Sequence, residues 1–338
     1  MPLWHATALM TDVLVTVDTE LSAGLHQRGL VAGCNVENSI SGIVSAGTYG
    51  IGWQMDRLEE HGLKGVFFVD PLPALVYGKS IVADIVGPIL ERRHEVQLHA
   101  HTEWLAWAKA SPVGERRGQN IGEFELADQI ALLKCARDLL EDAHVPRPIA
   151  FRAGNYGADD RTLIALSHLG IAWDSSFNAS YLGAPCRIAL TKDDHAPVRR
   201  HGVIEMPVAG IFDRSGTVRP AQVCALSRWE MTDALRHAGR VGEPAFVIVT
   251  HSFEMLSRDR LRPNRAVMAR FIAMCREIAD NPDLRSAGFA DLDPSIASPS
   301  LLSARSPRLA ANSVRTISRM VEQAAGTLRY ERQWLPSR

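Results

Sequence analysis

His94-Glu95-Val96-Gln97-Leu98-His99-Ala100-His101-Thr102-Glu103 is a short apolar run that ends in two imidazoles and a carboxylate at alternate positions. Alternate side chains of an extended chain share a face, so a strand that carries on through the run aims His99, His101 and Glu103 at one spot. Neutral imidazole with carboxylate is a donor set for zinc or another first-row divalent ion. The competing reading is a sheet end that is merely polar, and the rest of the chain decides between them.

Working outward, β-rich runs alternate with helical patterns. Asp12 to Val17 reads as a buried strand ending at Asp18, and Gly65 to Val69 as another ending at Asp70. Helices are predicted around Gly52 to His61 and over residues 81 to 92. Leu126, Ile130, Leu133 and Leu140 mark the apolar stripe of a longer helix. Ile149-Ala150-Phe151, Gly170 to Trp173, Val203 to Met206 and Ala245 to Val249 supply further strands. Strand and helix in alternation imply parallel strands with right-handed crossovers, and seven or eight such units favour a barrel. In that architecture the C-terminal strand ends gather at one rim, where sites are built. Asp18, His99, Arg152, Asp174 and His251 each stand at or just past a predicted strand end.

The bulk numbers narrow the function classes. With 338 residues, 46% hydrophobic, 22% charged and net charge −1, nothing favours nucleic acid or an acidic polymer. No uninterrupted apolar window is long enough to span a bilayer, and the first ten residues lack the pattern of a signal peptide. Five scattered cysteines without a Cys-x-x-Cys pair read as reduced thiols of a cytoplasmic protein. Residues 1–297 sum to −6, and the tail 298–338, with seven arginines, to +5. Val314, Ile317, Val321 and Leu328 of that tail fit one helical face. The expectation is a basic helical tail, partly disordered or docked on the acidic body or on a second copy, beyond a single domain over 1–297.

Thr16-Val17-Asp18-Thr19-Glu20 places two carboxylates at i, i+2 after a buried strand, where one can take a proton and the other hold a metal. Here the chain resembles the polysaccharide deacetylase (NodB-homology) family of metal-dependent amide and ester hydrolases. That family opens on Thr-Phe-Asp-Asp, a general base followed by a metal ligand. The base falls on Asp18, the ligand position on Thr19, and Glu20 is the nearest replacement. The family's metal-binding His-(Ser/Thr)-x-x-His begins at His99 and ends on Glu103, with His101 between them; which of the two completes the shell stays open. Phe151-Arg152-Ala153-Gly154-Asn155-Tyr156-Gly157 is similar to the motif whose arginine steadies the base. Phe246 to His251 is similar to the strand that ends in the general-acid histidine.

The resemblance spans Asp12 to Asp291 and implies a distorted (β/α)7–8 barrel holding a divalent metal, zinc by preference. It implies Asp18, Arg152, Asp174 and His251 as catalytic, with Asp174 fixing the tautomer of His251. Glu20, His99, His101 and Glu103 are the implied metal candidates. The implied activity is removal of an acyl group from an N-acetylated sugar or glycan precursor. Its alternatives are an allantoinase-like small-amide hydrolase and a catalytically degenerate glycan- or partner-binding relative. Trp53, Trp104, Trp107 and Tyr156 are candidate sugar-stacking faces, and residues 21 to 49 a pocket-shaping loop.

Overall fold

The computed structural model describes residues 10–213, 216–298 and 307–331. Its first strand, β1 (Thr11–Thr19), is buried at every position. A run of apolar and β-branched residues with no polar alternation is what a strand covered on both faces requires. The other strands of the main sheet are β2 (Gly65–Val69), β3 (Glu95–Ala100), β4 (Ala150–Ala153), β5 (Trp173–Asp174), β6 (Val198–Arg200), β7 (Val203–Glu205), β8 (Ala245–His251) and β9 (Leu284–Ser286). They pair in the order β8-β1-β2-β3-β4-β5-β7-β6, with β9 beside the first residues of β1. Every pairing is parallel except β6 with β7. The helices α1 (Ile51–Glu60), α2 (Ser80–Glu91), α3 (Leu126–Asp142), α4 (Asp160–His168), α5 (Arg228–Val241) and α6 (Arg265–Asp280) lie between strands.

The sheet curls on itself without a regular last strand. Chain beyond β7 bridges to the free edge of β8, Val208 opposite Val247 and Gln222 opposite Val249. Ala209 donates to the Val247 carbonyl at 3.0 Å and Val223 to that of Val249 at 3.0 Å. The barrel is distorted because this stretch is held by isolated bridges.

Side-chain parity sorts the core. On β1, Val13 and Val15 face outward with Phe246 and Ile248 against α5 and α6. Val17, Phe67, Val96 and Leu98 face the cluster that includes α2 and α3. The opposite parity fills the lumen with Leu14, Val66, Phe68, Trp173 and Phe289. Continuing that inward parity toward the C-terminal rim reaches Thr16, Asp18 and Glu20 from β1, Asp70 from β2, His99 and His101 from β3, and Arg152 from β4. Strand alternation therefore delivers the polar residues to one place.

Two expectations change. The run Gly170 to Trp173 forms only a two-residue strand displaced to Trp173–Asp174, because Gly170 takes φ 71° in the turn after α4. The tail helix α7 (Ser313–Gly326) docks by its charged face. Arg315 meets Asp233 at 2.9 Å, Arg319 meets Glu230 at 2.8 Å, and Arg270 of the body meets Glu322 at 3.0 Å. Val314, Ile317, Val321 and Leu328 stay exposed. Periodicity defined the two faces, but the carboxylates on the body chose between them. The remaining tail residues, 299–306 and 332–338, lie outside the described chain.

Candidate active site and metal centre

Register explains the neighbours. Asp18 pairs with His251 across β1 and β8 and with Phe68 across β1 and β2, while His99 pairs with Arg152 across β3 and β4. Arg152 is fully buried and spends its donors inside the lumen: Nη1 to Asp18 Oδ1 at 2.6 Å and to Thr16 Oγ1 at 2.8 Å, Nε to the Ser175 carbonyl at 3.1 Å, and Nη2 to Ser175 Oγ at 3.1 Å. Its guanidinium lies 4.4 Å from the centroid of the Phe68 ring. A fixed, charge-assisted contact of this kind orients a buried aspartate.

On the other side of Asp18, the Nε2 of His251 stands 4.0 Å from Oδ2. The Nδ1 of His251 donates to Glu254 Oε1 at 2.8 Å. Glu254 is itself held by Thr250 Oγ1 at 3.0 Å and by Cys224 Sγ at 3.3 Å, with Gln222 on the same oxygen as Cys224. Burial alone would push the His251 imidazolium down, but Glu254, then Asp18 and Glu20, more than offset it and raise its pKa to about 9. At neutral pH the ring is charged, with its second proton on Nε2 facing Asp18.

Asp174 does not reach His251. It sits fully buried opposite Glu205 in the β5–β7 register, accepting from Ser176 Oγ at 2.7 Å, while Glu205 accepts from the Phe177 amide at 3.0 Å. Burial raises both carboxyl groups, Glu205 further than Asp174. The expected role of Asp174 is thereby corrected: the tautomer of His251 is set by Glu254. What Asp174 orders is the Ser175-Ser176 turn that receives Arg152. Sequence reading missed Glu254, although an acid three residues after a strand-end histidine was the available signal.

The second cluster is Glu20, His99 and His101, with one ligand atom from each within 4.8 Å of the others. His99 Nε2 is 3.4 Å from Glu20 Oε2, and His101 Nε2 contacts the same oxygen. His99 donates Nδ1–H to the Arg152 carbonyl at 2.7 Å, which fixes the tautomer with Nε2 free for a ligand. Glu103 stands aside on the 3₁₀ turn Thr102–Ala106, half-exposed, its nearest approach 4.0 Å to His101 Nδ1. Of the two residues the sequence left in competition, the structure brings His101 into the cluster and leaves Glu103 outside. Burial opposes charge on both Glu20 and His101, yet each holds the other. Glu20 lies well below the usual carboxylate range and His101 is raised to about 10.

Two imidazoles and a carboxylate in a buried rim fit a tetrahedral divalent ion with an open position. A divalent ion held there would have to displace the proton that Glu20 keeps on His101, so its affinity is expected to rise with pH while His101 is protonated. The slope is about tenfold per pH unit for one released proton, read by calorimetry in buffers of different ionisation enthalpy.

The Arg152-to-Gly157 segment turns sharply after β4. Asn155 and Tyr156 take the left-handed angles, φ 55° and 57°, and the glycines supply room. A Cβ at Gly154 would meet His101 Cγ at 2.7 Å, so the glycine lets the β4 turn close against the His101 ring. The turn presents Tyr156, stacked on Tyr181 at 5.2 Å, with a buried phenol oxygen that lacks a partner. The neighbouring Asn178 amide nitrogen is likewise unpartnered. Burial, then the Asp18 charge, push the phenol far above its ordinary pKa, so it remains a neutral donor beside the aspartate. Of the proposed stacking aromatics, Tyr156 alone touches this site. Trp104 is fully buried with Trp107, Tyr77 and His26, and Trp53 packs on Phe271.

This barrel, with its rim of strand-end residues, has the fold of the NodB-homology polysaccharide deacetylases. It is similar to a Mycobacterium smegmatis structure assigned provisionally as a polysaccharide deacetylase, with TM-score 0.52 and 17% identity over 92% of this chain and 97% of that one. Also matched are a family 4 carbohydrate esterase from Streptomyces lividans in complex with acetate (TM-score 0.41, 11% identity, 89% and 98% covered) and a CE4 family pseudoenzyme from Bacillus anthracis (TM-score 0.40, 10% identity, 82% and 63% covered). No family model and no curated protein matches the sequence.

Proposed function

We propose that this protein is a metal-dependent hydrolase that removes an acyl group, acetyl by preference, from the nitrogen of an N-acetylated sugar or glycan precursor. The observation that carries the reading is Asp18 held between Arg152 and His251, with Glu20, His99 and His101 clustered on the same rim. Glu20, His99 and His101 would hold a divalent cation, zinc by donor type, which when bound would supply a Lewis acid for the water and the acyl carbonyl. Asp18, held in place by Arg152, takes the proton of the attacking water. His251, charged at neutral pH and oriented by Glu254, hands its Nε2 proton to the departing amine nitrogen. Tyr156, whose buried phenol feels the charge of Asp18, is the donor available to the carbonyl oxygen as charge develops on it. Such a donor contributes ~3–4 kcal/mol when well placed.

The five cysteines are free, which supports a reducing compartment, the cytoplasm, and hence a sugar nucleotide or small N-acyl compound over an external polymer. Among the described residues no helix is long and apolar enough to cross a membrane.

The test is acetate release from N-acetylated sugars by protein stripped with a chelator and reloaded with zinc. Turnover is expected to vanish on stripping and to return on reloading. Hydrolysis of a small cyclic amide without acetate release would replace the deacetylase reading with the small-amide one. A folded chain that takes up no metal would leave a binding protein.

A further inference from the structure

We propose that Asp70 belongs to the metal centre as the carboxylate partner of His101, taking its Nδ1–H through a single water and so holding Nε2 toward the cation. Nothing in the motifs points to Asp70; its place in the barrel does. On β2 the inward residues are Val66 and Phe68, both fully buried, and Asp70 is the next position of that parity. Its amide donates to the Thr19 carbonyl at 3.1 Å, which seats it beside the residue preceding Glu20. One carboxylate oxygen, Oδ1, accepts from the Leu72 amide at 3.0 Å; the other, Oδ2, is buried and has no donor.

His101 presents the complementary deficit. Its Nε2 is occupied by Glu20, and its Nδ1 is buried with no acceptor. An unpaired buried acceptor and an unpaired buried donor each carry a desolvation cost, and a hydrogen bond bridged by a single water removes both. β2 and β3 are adjacent and parallel with Val69 opposite Leu98, so Asp70 comes level with His99 and one inward position before His101. His101 is the strongest of the charges that counter the effect of burial on Asp70, and Asp70 acts on His101 after Glu20. His99 has its own Nδ1 acceptor in the Arg152 carbonyl. With Asp70, both ligand histidines acquire one, the arrangement that orients an imidazole and raises its basicity toward a metal. Glu103 lies nearer, 4.0 Å from Nδ1, but its side chain is open to water and has no such deficit to remove.

The inference rests on the metal reading of the cluster and not on the hydrolase reading. It is tested by zinc affinity, measured by competition with a chromogenic chelator, in the full-length protein and in Asp70→Asn, Asp70→Ser and Glu103→Gln. Serine keeps an oxygen for the Leu72 amide and removes Oδ2. Both Asp70 variants are expected to lose about 10–100-fold in affinity, with the metal-free Asp70→Asn protein melting no lower than wild type, and Glu103→Gln to stay within about twofold. Wild-type affinity in the Asp70 variants, or a loss carried by Glu103→Gln instead, overturns the proposal. So does a metal-free Asp70→Ser protein that no longer folds. A zinc-binding chain that shows the Asp70 effect but releases no acetate would retire the deacetylase reading and leave this one standing.

Discussion

Replacing Arg152 with methionine is expected to cost the protein both stability and turnover. The side chain is fully buried, and four of its hydrogen bonds end on groups that have no water to fall back on: Asp18 Oδ1, Thr16 Oγ1, and the carbonyl and hydroxyl of Ser175. Methionine retains much of the volume over the Phe68 ring but supplies no donor. The loss is dominated by the stranded carboxylate, because breaking one side of a buried ion pair costs about 3–5 kcal/mol. Chemical denaturation at neutral pH measures it. Turnover is expected to fall with it, since Asp18 loses the guanidinium that aims it. Zinc binding should survive in the folded fraction, because the Arg152 atom that His99 uses is the backbone carbonyl. Loss of zinc with full retention of stability would mean that Arg152 serves the metal cluster instead of the aspartate. A lysine in its place should recover charge without the fork that spans Asp18 and Ser175, and so only part of the stability.

How much of this was legible in the sequence follows from what each inference needed. Strand ends were readable, because a buried run that stops at a polar residue marks both an element and its rim; His99, Arg152, His251 and Asp18 came from that signal. Parity within one strand was readable too, and it is why Glu20 and His101 join the cluster while Glu103, displaced by the 3₁₀ turn after β3, does not. What parity on one strand cannot give is the partner on another. Asp174 looked equivalent to the other strand-end residues, yet the β5–β7 register sets it against Glu205. Glu254 was hidden for the converse reason, lying in a loop after β8 whose path is set by tertiary hydrogen bonds. The tail shows the same limit: a 3.6-residue period separates faces, and only the positions of Asp233, Glu230 and Asp213 decide which one is buried.

Substituting His251 and Glu254 should separate the acid from the group that tunes it. His251→Ala removes the proton donor for the leaving amine and is expected to lower kcat by about 10²–10⁴-fold. Metal content should stay at the wild-type level, since His251 lies outside the Glu20, His99 and His101 cluster. Glu254→Gln keeps a side chain able to accept from Nδ1 but removes the charge that, against burial, lifts the imidazole to about 9. The sign follows from the role. An acid is competent only while protonated, so activity falls as pH rises through its pKa, and lowering that pKa moves the alkaline limb of the kcat profile toward acid. Wild type should hold its rate to about pH 9. Glu254→Gln should begin to lose it closer to the ordinary imidazole value of ~6.5, with its acid-side rate little changed. A variant with the same alkaline limb but a uniformly lower rate would make Glu254 a scaffold for the Thr250, Gln222 and Cys224 contacts alone. An unchanged alkaline limb in His251→Ala would assign the titration to another group and remove His251 from proton transfer.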